Sequence, residues 1–325
     1  MTSAVISLEA LQELRRDFGD RLQEGVALAP FTSSRIGGPA DFLLEVRSRH
    51  ELQRVFEILW AHEAQAFVLG GGSNILVADR GVRGVVVLNH ARKVDFHDDS
   101  PRPKVWAESG ASLGSLARRT VDRGWAGLEW ATTVPGTVGG AVFGNAGAHG
   151  GDTAGTLELA EILQRDKGRA EWPVEDLDYG YRISWLKRHP GQAVVLSATF
   201  NLMESSVEST RGKMQTFVDH RKTTQPGGAS WGSMFKNPPK DFAGRLIEAA
   251  GLKGLREGDA EISHQHANFF INHGQATAED VWQLLQTAQR RVEEAFDVRL
   301  QMEIERVGDW EDSDRTTGSR EAAQA

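Results

Sequence analysis

One stretch limits what this chain can fold into more than any other. It is Val134-Pro-Gly-Thr-Val-Gly-Gly-Ala-Val-Phe-Gly-Asn-Ala-Gly-Ala-His-Gly-Gly151, with seven glycines in eighteen residues and no side chain of fixed charge. Glycine costs backbone entropy, so a chain concentrates it where main chain must turn sharply or approach something closely. Such a loop presents bare N–H groups to an anion or a flat ring system. A run of purely structural turns is the competing reading. A second cluster, Leu69-Gly-Gly-Gly-Ser-Asn-Ile-Leu76, weighs against it. Two such loops point to an extended, phosphate-bearing ligand.

Composition narrows the function classes. A net charge of −8 argues against a sequence-independent nucleic-acid binder, which needs a basic face. The chain has no cysteine, which removes disulfides, thiolate catalysis and cysteine-ligated zinc or iron–sulfur centres. The N-terminus lacks a basic segment followed by an apolar run, and no apolar stretch is long enough to span a membrane. The expectation is a soluble cytoplasmic protein with no membrane and no nucleic-acid partner.

Periodicity supplies the elements. Ser7 caps a helix carrying Leu8, Leu11, Leu14 and Phe18, and Leu52, Val55, Phe56 and Leu59 mark a second. Strands are expected at 41–46, 66–69, 84–88 and 104–108, so strand, helix, strand and glycine loop follow in the order of an α/β nucleotide-binding unit. After the glycine-rich centre come strands at 157–164, 169–172 and 193–202. Periodicity lapses at Met203-Glu-Ser-Ser206, where a domain boundary is placed. Helices follow at 207–222 and 242–250. Thr277 and Asp280 form a capping-box start for the last one, and a final strand is expected at 298–307. The organisation read from this is an N-terminal helix at 1–26, a cofactor domain at 27–204, a substrate domain at 205–308 and a disordered tail at 309–325.

Several familiar signatures are missing or weak. Leu69–Asn74 is not the Gly-x-Gly-x-x-Gly of a Rossmann site, and neither a P-loop nor His-Glu-x-x-His occurs. His264 and His266 alternate on an expected strand without nearby carboxylates, so no metal is expected. Gly110-Ala-Ser112-Leu-Gly114 matches a nucleophile elbow, but Ser112 equally well caps the following helix. More telling are Tyr181-Arg182-Ile-Ser184, a guanidinium suited to a carboxylate; Gly232-Ser233-Met-Phe-Lys-Asn-Pro238, a small hydroxyl after a flexible loop; and Glu303. Taken alone, each is also a structural ion pair, a turn or an exposed strand edge.

Taken together, these segments resemble the UDP-N-acetylenolpyruvoylglucosamine reductases, the flavoenzymes of bacterial peptidoglycan precursor synthesis, from about Phe31 to Gly308. The matching stretches are Arg35-Ile-Gly-Gly-Pro-Ala-Asp41, the two glycine loops, Asn145-Ala-Gly-Ala148, Tyr181-Arg182-x-Ser184, the Ser233 segment and the Glu303 strand. The resemblance implies an α+β fold: the two-subdomain FAD-binding architecture of the vanillyl-alcohol-oxidase and p-cresol-methylhydroxylase type, plus a C-terminal α+β substrate domain. It implies non-covalent FAD, NADPH as co-substrate, a nucleotide-sugar substrate and a monomer. It places FAD on Arg35, Ile36, Gly37, Gly70, Gly71, Gly72, Ser73, Asn74, Val134, Pro135, Gly136, Thr137, Gly140 and Asn145. Ser233 matches the family's proton donor to C2, and Arg182 and Glu303 match the pair that holds the enolpyruvyl carboxylate. Tyr181 joins the substrate group, and Asn237, Lys253 and His266 fall near positions that meet the UDP diphosphate.

Three positions depart from the usual pattern: His149 for Tyr, Gly144 for a larger residue, and Glu305 for Arg. Side chains two apart on a regular strand share a face, so Glu305 would flank Glu303 and raise its pKa. The alternative is that a bulge or a nearby Lys or Arg separates the pair. A flavin oxidase of the same fold that tethers FAD through His149 is the rival reading. A nucleotide-binding module without catalysis would require Ser233, Arg182 or Glu303 to be missing.

Overall fold

A computed structural model describes residues 6–98 and 102–310. Helix α1 (Leu8–Phe18) is capped by Ser7, whose side chain accepts from the Ala10 amide, and it buries Ala10, Leu14 and Phe18. Strand β1 (Leu22–Ala27), β2 (Pro39–Val46), α2 (Arg49–Ala61), β3 (Ala66–Leu69), β4 (Ile75–Val77) and β5 (Val82–Asn89) follow. The first sheet runs β1-β2-β5-β3, with β2 and β3 parallel to β5 and β1 antiparallel at the edge. Its β5 reads Val-Arg-Gly-Val-Val-Val-Leu-Asn and is nearly all buried, the pattern of a strand covered on both faces. Helices α1 and α2 close one face through Leu14, Leu52, Val55 and Leu59. Residues 6–26 therefore pack into this layer through α1 and β1.

The second layer comprises β6 (Val94–His97), β7 (Lys104–Glu108), α3 (Leu113–Val121), β8 (Trp125–Ala126), α4 (Val138–Gly144), β9 (Gly147–Ala148), β10 (Gly151–Asp152), β11 (Leu157–Gln164), β12 (Gly168–Pro173), α5 (Trp185–Arg188), β13 (Ala193–Asn201) and β14 (Met203–Glu204). Its sheet is antiparallel throughout, in the order β12-β11-β13-β7-β6. Part of the expected central loop is helical. Thr137 caps α4 by accepting from the Gly140 amide, and a side chain at Gly139 would lie 2.9 Å from the Ser109 Cβ. Glycine there permits a helix to pack against β7's end despite its poor propensity.

The third part holds α6 (Val207–Thr224), β15 (Ala229–Ser233), α7 (Ala243–Ala249), β16 (Arg256–Glu257), β17 (Ala260–Ile262), β18 (Phe269–Asn272), α8 (Ala278–Phe296) and β19 (Glu305–Val307). An antiparallel sheet, β15-β18-β17-β16, packs on α7 and α8 around Trp231, Phe235, Phe270 and Leu285. Thr277 and Asp280 form the expected capping box of α8. Asp79 adds a second cap from the first layer, accepting from the Ala278 and Glu279 amides. Helix α6 packs back on the second layer, where Thr210 donates to the Val121 carbonyl.

Two expectations change. The last strand is only Glu305–Val307, parallel to β4. Upstream of it, partners alternate between layers: the Lys236 amide donates to the Gln301 carbonyl, the Glu303 amide to the Met234 carbonyl and the Asn74 side chain to the Glu303 carbonyl. No single neighbour offers residues 298–304 a continuous ladder. His264 and His266 lie in the connection between β17 and β18, because Ser263 Oγ accepts from the Gln265 amide and turns the chain. Asp309 and Trp310 are held: the Asp309 amide donates to the Gly81 carbonyl and Trp310 lies 6.1 Å from Trp282, centroid to centroid. The rest of the expected tail lies outside the described residues.

Candidate active site

The glycine loops form one wall of main chain. Leu69–Asn74 leaves β3 and meets Val134–Thr137 backbone to backbone: a Cβ at Gly71 would stand 2.9 Å from the Gly136 Cα, and one at Gly70 would stand 2.5 Å from Thr137 Oγ1. Gly72, at φ 57°, would drive a side chain into the Phe31 carbonyl. Ser73 Oγ donates to the Pro135 carbonyl at 3.4 Å, and the Ser33 amide to the Gly72 carbonyl at 3.0 Å. Gly70, Gly71, Gly136 and Thr137 thereby line a cavity of about 510 Å³, closed opposite by Asn89, Ser112 and Arg119. Ser112 Oγ accepts from the Ser115 amide, so it caps α3. Val134 and Pro135 lead into this wall, and Gly140 opens α4 behind Thr137.

The other glycine-flanked segment is placed differently. Ile36 buries its side chain in the C-terminal core, because an isoleucine there extends the cluster around Leu76 and Trp231. Arg35, with φ 58°, borders a second cavity of about 380 Å³ with Ser33, Gly228 and Asn272. Gly37 packs against Leu28 and Val77. Asn145 caps α4 in the left-handed conformation, and its carboxamide works internally: it donates to the Gly180 carbonyl at 3.0 Å and accepts from the Ala154 amide at 3.0 Å.

That carboxamide joins the glycine stretch to the Gly180–Ile183 turn. Arg182 occupies the turn at φ 58°, a conformation costly for a side chain with a Cβ and typical of functional sites. Its guanidinium is held from three sides: Nε donates to Glu303 at 2.7 Å, one terminal nitrogen to the Asn145 carbonyl at 3.3 Å, and the other to the Gly147 carbonyl. Ser184 locks the turn from behind, capping α5 and donating to the Phe143 carbonyl at 2.6 Å. Tyr181 is exposed, its ring 5.5 Å from the Arg182 guanidinium.

Glu303 is 14 % exposed, and burial pushes its carboxyl above the usual carboxylate range; Arg182, Lys187 and Lys236 oppose that shift without cancelling it. Glu305 is not the cause. It pairs with Lys187 at 2.9 Å, so a lysine from α5 separates the two acids, and Glu303 is raised by desolvation. Ser233 ends β15, opposite Phe269, and its hydroxyl has no hydrogen-bond partner among the described residues. The Glu303 amide donates to the carbonyl of Met234, the residue after Ser233, which ties the Ser233 segment to that of Glu303. Lys187 and Lys236, absent from the expected site, complete the cluster. In the sequence the only hints were Lys236 inside the Ser233 motif and Lys187 five residues after Arg182.

Asn237, Lys253 and His266 gather around α7. Asn237 Oδ1 accepts from the Ala243 amide at 3.0 Å, and His266 lies against Gly244. Lys253 follows the helix and pairs with Glu248 at 2.7 Å. His266 Nδ1 accepts from the Asn268 amide at 3.2 Å, which leaves Nε2 as the protonated nitrogen of the neutral ring. Burial holds its pKa below the ordinary histidine value.

Residues 40–164 match the FAD binding domain family, and residues 223–307 match the C-terminal domain of UDP-N-acetylenolpyruvoylglucosamine reductase. The reductase of Rubrobacter xylanophilus is 45% identical over 284 residues, 87% of this chain and 94% of that protein. That of Chloroflexus aggregans is 42% identical over 286 residues, 87% of this chain and 96% of that protein. The chain belongs to the UDP-N-acetylenolpyruvoylglucosamine reductase family. The solved reductase of Thermus caldophilus shares this fold with a TM-score of 0.75 at 38% identity, covering 88% of this chain and 99% of that one. The fold is therefore the α+β FAD-binding fold with the reductase's own C-terminal part.

This reductase's main-chain wall fits FAD. A Cβ would collide with the Gly136 backbone at Gly71 and with the Thr137 side chain at Gly70, both on one side of the cavity, and Arg119 supplies a cation on the other. Of the reductase family's usual larger residue, Gly144 leaves only space: a Cβ there would meet nothing within 4 Å. His149 stacks on Phe217 of α6 at 4.4 Å, with Nε2 3.4 Å from the Thr133 hydroxyl. Burial, His220 and Arg221 hold it below the ordinary histidine pKa. Among the described residues no cluster of three metal-ligating side chains occurs, and no helix is long and apolar enough to cross a membrane.

Proposed function

We infer that the chain reduces UDP-N-acetylglucosamine enolpyruvate to UDP-N-acetylmuramate with NADPH and FAD, an oxidoreductase step of peptidoglycan precursor synthesis. Bound FAD would supply the hydride chemistry that links NADPH to C3 of the enolpyruvyl group. One observation carries the reading: Arg182 and Glu303, 121 residues apart, are locked together at the edge of the glycine loops, with the Glu303 segment bonded to the one that carries Ser233. Addition at C3 builds negative charge at C2 and in the carboxylate. Three of the five N–H groups of Arg182 are engaged, which leaves two to meet that charge where it develops. Ser233 gives its proton to C2 and is reprotonated from water, since the forming carbanion is far more basic than an alkoxide.

The backbone wall of Gly70–Asn74 and Val134–Thr137 holds the cofactor, with Gly140 and Asn145 setting the loop's shape. Arg35, Ile36 and Gly37 are assigned to the cofactor through the residues just before them, where the Ser33 amide holds the Gly72 carbonyl. Tyr181, Asn237, Lys253 and His266 serve the nucleotide-sugar end of the substrate. The parts divide as residues 27–204 for cofactor and 205–308 for substrate, in a cytoplasmic monomer. FAD is held without a covalent tether, so acid precipitation leaves the yellow colour in the supernatant. NADPH consumption that requires the enolpyruvyl nucleotide supports the assignment. Oxygen consumption with sugars or alcohols, and colour in the pellet, would support the oxidase reading.

A further inference from the structure

The charged cluster holds one cation more than its acids can pair. Arg182 is bonded to Glu303 and Lys187 to Glu305, at 2.7 and 2.9 Å. Lys236 is the third cation in mutual electrostatic range of these four groups, so three positive side chains face two negative ones. Its ammonium makes no ion pair and no hydrogen bond among the described residues, although the side chain is only half-exposed. An ammonium partly removed from water without a partner is unfavourable unless an anion arrives to meet it.

The backbone fixes where Lys236 points. Phe235 bridges Met302 in antiparallel fashion, with the Lys236 amide on the Gln301 carbonyl and the Glu303 amide on the Met234 carbonyl. Across such a ladder, residues flanking the bridged pair point to the opposite face from it, and diagonal neighbours are within reach of a long side chain. Lys236 and Glu303 are such a diagonal pair. Both sit on the face opposite Phe235 and Met302. Lys236 is three residues from Ser233, the proton donor in the reading above.

We propose that Lys236 is a third carboxylate-binding group of this site, donating from its free ammonium to the enolpyruvyl carboxylate that Arg182 also meets. This rests on the proposed reaction and adds a residue to it. The division of labour follows from what each cation has left to give: Arg182 is committed through three N–H groups to fixed acceptors, while all three N–H groups of Lys236 are free. Burial holds the Lys236 pKa below the usual lysine value. Lys187 and Arg182 push it the same way, and Glu303 and Glu305 oppose them. A bound carboxylate adds a third negative group and keeps the ammonium charged.

The test is titration calorimetry on the FAD-loaded enzyme with two ligands, the enolpyruvyl nucleotide and UDP-N-acetylglucosamine, which lacks the carboxylate. Lys236→Met should weaken the first by roughly 10- to 100-fold, the scale of one hydrogen bond to a charged group, and leave the second within about twofold. Lys236→Arg should restore most of the affinity, and Lys236→Gln serves if the methionine variant loses its cofactor. Equal weakening of both ligands would make Lys236 a structural residue and overturn the proposal, as would unchanged affinity for both. Failure of the reaction reading looks different: the wild-type enzyme itself would not turn over the enolpyruvyl nucleotide.

Discussion

The two halves of this site are built from opposite materials. The cofactor wall is main chain: Gly71 lies against the Gly136 backbone, Gly70 against the Thr137 side chain and Gly136 against the Ser73 hydroxyl, each where a methyl group would collide. The proposed reacting end is side chain, with Arg182, Glu303, Lys187, Glu305 and Lys236 drawn from three distant segments. A wall of N–H groups is fixed in place but has no proton to give, which suits an extended phosphate-bearing ligand. A cluster of charged groups can respond to charge as it develops, which suits the chemical step. The comparison teaches that binding and chemistry can fail separately here.

The largest expected effect breaks only the second half. Ser233→Ala should leave bleaching by NADPH within about twofold of wild type while slowing the return of colour with the enolpyruvyl nucleotide by roughly two to four orders of magnitude, the scale of losing a positioned acid. Stopped-flow absorbance reads both phases, and equal damage to both would remove Ser233 from its role. Gly71→Ala attacks the first half. A Cβ 2.9 Å from Gly136 Cα forces two backbones apart. Overpacking of this kind costs about 1–3 kcal/mol, so FAD affinity should fall by roughly 5- to 150-fold. Undiminished FAD retention on gel filtration would show that the loops do not form the wall.

Smaller changes sharpen the comparison. Glu305 is tied to Lys187, so Glu305→Gln should slow colour return by no more than about fivefold, the upper range for a partly exposed ion pair, and leave its alkaline pH limb in place. A shifted limb would mean that Glu305 and Glu303 titrate together after all. The smallest effect is on stability. His149 has a folded pKa below its ordinary value, so its contribution is present above that value and is lost as pH falls toward the folded one. His149→Phe should keep the stack on Phe217 and flatten part of the decline in melting temperature between about pH 7 and pH 5. An unchanged slope would show that this ring does not contribute to acid sensitivity.

The legibility of the sequence follows the same division. Composition reveals a wall made of glycine, and local chemistry reveals the caps at Ser7, Ser112 and Thr277. Helix α4 is hidden because three of its seven residues, Gly139, Gly140 and Gly144, disfavour helix by propensity, and only the Thr137 cap hints at it. The strand at 298–307 reads as continuous because alternation records which face is buried, not whether one neighbour supplies a ladder. Glu305 leaves two arrangements open for the same reason: strand periodicity predicts its face, while only the fold shows that Lys187 reaches it from α5. Lys236 stands inside the Ser233 motif, but nothing in the sequence marks it as unpaired. Only partial burial without a partner distinguishes it.

One measurement tests the central claim most directly. The wild-type enzyme is bleached with one equivalent of NADPH in the absence of oxygen and then mixed with the enolpyruvyl nucleotide. The account predicts that the yellow colour returns at once and that UDP-N-acetylmuramate forms in an amount equal to the cofactor. Colour that stays bleached until oxygen is admitted would contradict it.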